Sequence, residues 1–334
     1  GKDGLGALGL SGEARMQRIR DDELFRPLRI SFLNHENDDG GGRKLRSRAR
    51  VSESIDDALA YASRIWSEAL YVVPARGPLP VKGKGGACGN SAPPTSPLRW
   101  GQKKVPPSDV LESDLVVYVS LSGKGCEDGP AGAHYSRYGG TCEMDQFGRP
   151  ISGIVTFCPD SVMDAVDSNA LRRSAVQAVG DMLGLHPTSM AYYHGREGLP
   201  IKIEDERESN IAYDCVDGST QDTAKLIPPD MLLPRMSSSS SLYYEITSPA
   251  LMTLIKEMGC KSVTGVQLGN ENGPGSSCFG NHWDKYLFID ELSSSLWISP
   301  LALTLLQDSG WYQTAEVKAR DGDGCHLFYQ NIPG

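Results

Sequence analysis

No stretch of this chain approaches the roughly 18 consecutive apolar residues that a helix needs to cross a bilayer, and its opening, GKDGLGALGLSGEARMQRIRDD, carries no signal-peptide pattern. An excess of positive charge is also missing. Lys and Arg number 33 against 42 Asp and Glu, a net charge of −9, so a nucleic-acid-binding role has no electrostatic footprint. None of the eight cysteines forms a C-x-x-C pair, which weakens zinc-knuckle and thioredoxin-like readings. No N-x-S/T sequon occurs. The serine runs at 237–241 and 293–295 lack the G-x-S-x-G elbow of a serine hydrolase. The acidic cluster Glu204, Asp205, Glu206 and Glu208 lacks the D-x-D-x-D-G ladder of a calcium loop, and reads as solvated surface.

What is present is the composition of a globular protein, 39% apolar and 22% charged over 334 residues, long enough for about two domains of ~150 residues. The cysteines (Cys88, Cys126, Cys142, Cys158, Cys215, Cys260, Cys278 and Cys325) are even in number and dispersed. That fits structural disulfides and an oxidising compartment, the alternative being buried reduced thiols.

Periodicity places the elements. Residues 25–33, 70–75, 113–121 and 151–159 read as strands, the last preceded by the turn DQFGRP. Residues 52–70 read as an amphipathic helix capped by Ser52 or Ser54, with Ile55, Leu59, Ala62, Ile65, Trp66 and Ala69 as its apolar stripe. The basic run RKLRSRAR (43–50) before it reads as a solvated loop. A second helix spans 168–185, capped by Ser168 or Asn169. Ala175, Val179, Met182 and Leu183 form its inner face, and Gly184 sits where a helix stops. Residues 186–241 are polar and irregular, ending in the serine run 237–241. Helices follow over 248–260 and from 299, the latter ending at Gly310. Residues 1–23 read as a disordered or processed tail. The domain reading is an N-terminal lobe over 24–185, an insertion or linker over 186–247, and a second lobe over 248–334, mainly helical and loop-rich. The chain's ends suit a processed fragment of a larger precursor.

Six stretches in order carry a resemblance: RIWSEALYVVPARGPLPV with ACG, SDLVVYVSL, TCEMDQFGRPISGIVTFCP, ITSPALMTLIKEMGC, GNHWDKYLFIDEL and LALTLLQDSGWYQ. Together they resemble the leishmanolysin family of zinc metalloproteases, part of the metzincins. The resemblance implies an α+β fold of the metzincin-like zincin type, with a twisted mixed sheet, an active-site helix and disulfides. It implies pairings Cys88–Cys142 and Cys260–Cys325, leaving Cys126, Cys158, Cys215 and Cys278 unordered.

The family's active-site helix carries H-E-x-x-H-x-x-G. Two histidines at i and i+4 share one helical face and reach one metal, while the glutamate is the general base for a zinc-bound water. The matching residues here are Gln177, Ala178, Asp181 and Gly184. His282 matches the third histidine, and Ser293 stands where the family places a methionine beneath the metal. An amide, a methyl and a lone carboxyl therefore replace two imidazoles and the base. The expectation is a pseudoprotease: no catalytic residues, no zinc, and a protein-binding or structural role in a larger extracellular or surface assembly. Gln177 and Asp181 are expected to line the old cleft and hydrogen-bond to each other, with His282 packing beside Trp283. The alternative is an active zinc metalloendopeptidase with a rebuilt site, drawing on Asp181, His282 and a loop histidine, His186 or His194.

Overall fold

The computed structural model describes residues 24–35, 45–75, 79, 99–100, 103–104, 112–121, 136–145, 147–157, 168–185, 187–194, 212–214, 220–222, 231–236, 242–267, 289–290 and 297–315. In chain order the elements begin with β1 (Arg26–Pro27), β2 (Ile30–His35), α1 (Leu45–Ala69) and β3 (Leu70–Val72). A hairpin, β4 (Arg99–Trp100) and β5 (Lys103–Lys104), precedes β6 (Leu115–Leu121), β7 (Ser136–Met144), β8 (Pro150–Phe157) and α2 (Ser168–Gly180). Two hairpins follow, β9 (Ala212–Asp214) with β10 (Thr220–Asp222) and β11 (Leu232–Met236) with β12 (Leu242–Ile246). The last elements are α3 (Pro249–Glu257), β13 (Val266–Gln267), β14 (Ile289–Asp290), β15 (Trp297–Ile298), α4 (Pro300–Asp308) and β16 (Tyr312–Thr314). Helices and mixed sheets make the fold α+β.

The main sheet has the order β2-β6-β8-β7. β2, β6 and β8 run parallel, and β7 is an antiparallel edge strand whose register with β8 shifts at three points. Parallel central strands are covered on both faces, so they read as nearly continuous apolar runs. β6 obeys this: Leu115, Val117 and Val119 join the main core with the helices, while Val116 and Tyr118 point to a smaller cluster with Leu33, Leu79 and Ile151.

α1 and α2 lie together on the main-core face. Ile55, Ala58, Leu59, Ala62 and Trp66 of α1 are buried against Ala175, Val176, Val179 and their neighbours. A second sheet, β1-β3-β16, ties the late chain to the early chain. Tyr312, Gln313 and Thr314 pair antiparallel with Val72, Tyr71 and Leu70.

Several expectations need correcting. The basic run is not all loop, because α1 starts at Leu45 and runs through Arg46, Arg48 and Arg50; arginine is a good helix former. Ser52 and Ser54 therefore lie inside α1 and not at its N-terminus. The strand expected over 25–33 divides into β1 and β2, which join different sheets. β7 was not anticipated. The stretch 186–241 is not irregular throughout; it contains a 3₁₀ turn (Pro187–Tyr192), the β9–β10 hairpin and strand β11, which pairs with β12 just beyond it. The last helix stops at Asp308, and Tyr312 begins a strand.

α3 shows how distant residues complete a helix end. Ser248 sits at its N-cap but makes no side-chain cap bond. The Asp308 carboxylate, at the end of α4, accepts instead from the amides of Ala250 (2.9 Å) and Leu251 (3.3 Å). These amides have no partner within the helix. Asp308→Ala should cost about 1–2 kcal/mol, the usual range for a lost cap, with Asp308→Asn costing less. Urea unfolding checks this, and an alanine variant as stable as the parent would refute it.

Candidate functional site

α2 owes its position to its apolar face and to one long-range hydrogen bond. The Trp66 indole, fully buried, donates to the Val176 carbonyl at 2.9 Å. Outside the core, Arg172 of α2 pairs with Asp57 of α1 at 2.7 Å, and the Arg172 and Arg64 guanidinium groups both lie over the Tyr61 ring.

The helix does not end cleanly. From Asp181 to Leu185 all five residues are buried, and the chain kinks out of helical geometry at Gly184, with φ 127° and ψ −3°. A helix end leaves carbonyls without intrahelical donors, and side chains from elsewhere supply them. Thr141 of β7 donates to the Met182 carbonyl at 3.4 Å, and Tyr193 donates to the Gly184 carbonyl at 3.0 Å. Burial of the Tyr193 phenol raises its pKa well above the ordinary value, with Asp308 and Tyr312 adding to the effect, so it stays a donor.

Trp311 closes the turn from below. A Cβ on Gly184 would lie 2.9 Å from the Trp311 ring. That ring stands edge-on to Tyr193, with centroids 5.3 Å apart. Its indole donates to the Phe147 carbonyl at 3.0 Å. The same carbonyl lies 2.6 Å from His194 Nε2. A carbonyl only accepts, so the neutral imidazole carries its hydrogen on Nε2 and has only Nδ1 free as a lone pair. Phe147 belongs to the DQFGRP turn, which forms as expected. The Asp145 carboxylate accepts from the amides of Phe147 and Arg149, and Gly148 donates to the Asp145 carbonyl at 3.0 Å.

The site residues read from the sequence divide into two groups. Gln177, Ala178, Asp181 and Gly184 all lie on α2 and its terminal turn. Gln177 is half-buried, while Ala178 and Asp181 are buried. His282, Ser293 and His186 lie outside the described residues. The expected hydrogen bond between Gln177 and Asp181 does not form. Asp181 is buried at the core side of the helix end, while Gln177 stays half-buried. Asp181 is 6% exposed, and its Oδ1 has no hydrogen-bond partner among the described residues.

Burial alone drives the Asp181 carboxyl well above the usual carboxylate pKa, toward its neutral form. Its contribution to stability is fully present below the unfolded-chain pKa of about 4. It is lost as pH rises toward the folded-state pKa, because only the unfolded chain releases the proton in that window. Asparagine does not titrate. Thermal melts from pH 4 to 8 should therefore show Asp181→Asn gaining on the parent as pH rises, with a limiting slope of ~1.4 kcal/mol per unit. Parallel pH profiles would contradict the assignment.

Tyr193, Trp311, Thr141 and Phe147 were not singled out by the sequence. The available signal was two aromatic pairs, Tyr192–Tyr193 and Trp311–Tyr312, but nothing in one sequence says that they meet. Cys142 and Cys260 are buried and neither is a free thiol; Cys88 and Cys325 lie outside the described residues.

The family model for leishmanolysin (Peptidase M8) matches residues 47–321, well over half of the chain. The chain belongs to the leishmanolysin family. Among curated proteins it is similar to leishmanolysin-like peptidases of Caenorhabditis briggsae and Caenorhabditis elegans. Each is 23% identical over 228 residues, covering 64% of this chain and 33% of the relative. The chain thus spans about a third of the length of the curated relatives it matches. The leishmanolysin match takes in α1 from residue 47, strands β6, β7 and β8 of the main sheet, α2 with its terminal turn, and α4 with Trp311, while β2 precedes it. No helix among the described residues is long and apolar enough to cross a membrane.

Proposed function

We propose that this chain is a catalytically inactive leishmanolysin relative, a pseudoprotease of the metzincin-like zincin fold. It acts as a protein-binding or structural subunit of a larger assembly, in the secretory pathway or at the cell surface. The supporting observation is the donor chemistry of α2. A catalytic zinc takes three protein donors and a water. Gln177 offers an amide, a poor zinc donor, and Ala178 offers none. Asp181 offers a carboxyl that burial favours in the neutral form. These residues do not fit an H-E-x-x-H zinc centre, and a methyl at 178 cannot take a proton from water, a role worth ~10²–10⁴ in rate. The family's third histidine and its methionine, matched here by His282 and Ser293, extend the same reading.

A cleft that has lost its metal keeps its shape for binding. Among the described residues β7 is an edge strand of the sheet, beside the end of α2, and an extended partner segment can add to such an edge through main-chain hydrogen bonds. Disulfides Cys88–Cys142 and Cys260–Cys325 belong to this reading and would hold β7 and the end of α3 without a metal, each contributing about 2–4 kcal/mol.

The deciding experiment is metal analysis of the purified protein together with a peptide-library cleavage assay, with and without chelator. The expected result is far less than one zinc per chain and no chelator-sensitive cleavage. Stoichiometric zinc with chelator-sensitive cleavage would end the proposal. One observation favours a second reading, a rebuilt zinc peptidase site: the unpartnered Oδ1 of Asp181 is what a carboxylate ligand would show without its cation. That reading requires Asp181→Ala and His282→Ala each to remove bound metal and activity together.

A further inference from the structure

We draw no further inference here: the strongest candidate, the surface patch formed by Phe147 and Tyr192 beside the Gly148 turn, each about half exposed, carries nothing because nothing in the structure shows what covers it.

Discussion

Gly184→Ala should destabilise the protein by about 4 kcal/mol, lowering the melting temperature by about 6 °C, through two separable effects. The first is backbone strain. At φ 127° and ψ −3° the residue lies beyond the left-handed helical well, where a side chain typically costs about 1–3 kcal/mol. The second is collision. The new methyl would meet the Trp311 ring at 2.9 Å, and the ring has little freedom to retreat. Its indole is tied to the Phe147 carbonyl, its edge meets Tyr193, and it is 5% exposed. Overpacking a fixed site of this kind costs a further ~1–3 kcal/mol. A double-mutant cycle separates the two. In a Trp311→Ala background the collision disappears and the strain remains, so the glycine substitution should cost about half as much. Equal costs in both backgrounds would show that Trp311 does not confine the turn. The sum is a large part of the 5–15 kcal/mol that holds most domains folded.

That glycine was readable in the sequence as a helix stop, and so was much of the framework around it. Of the stripe Ile55, Leu59, Ala62, Ile65, Trp66 and Ala69, four are buried and Ile65 and Ala69 are partly buried against the core, and the face Ala175, Val179, Met182 and Leu183 is buried throughout, because a 3.6-residue period records which side of a helix meets the core. β6 was readable as an apolar run because both its faces are covered. β7 was not. SRYGGTCEM has two glycines and little β-branched content, and it is a strand because β8 lies beside it, not through local preference. The start of α1 was missed because a run of arginines suggests solvent, although arginine favours helix. β16 needed its partner β3, some 240 residues earlier, a distance over which one sequence carries no pattern. At the site, the departures from H-E-x-x-H were visible at once, since they are matters of residue identity. The burial of Asp181 was not, because it depends on how the core closes around the end of α2.

Trp66→Ala should be the most damaging single change on the other side of α2, costing about 3–5 kcal/mol, the range for a buried large aromatic. Trp66 is among the largest fully buried side chains, at 0% exposed, so its removal opens a cavity between α1 and α2 that rigid neighbours fill only in part. It also takes away the indole hydrogen bond to the Val176 carbonyl, worth a further ~0.5–1.5 kcal/mol net. Trp66→Phe separates these contributions, keeping most of the apolar volume while losing the indole N–H. Its cost should be nearer 1–2 kcal/mol. The phenylalanine variant should also loosen α2 locally. Val176 is one residue before Gln177, so amide hydrogen exchange over 177–185 should quicken while β6 and β8 keep their protection. If exchange quickened uniformly across the sheet and both helices, the indole would be serving the whole core equally, and its bond to Val176 would have no special part in fixing the segment that carries Gln177, Ala178 and Asp181. If the alanine variant lost only what the phenylalanine variant loses, cavity formation would be excluded, and the two helices would have to be repacking around the missing ring.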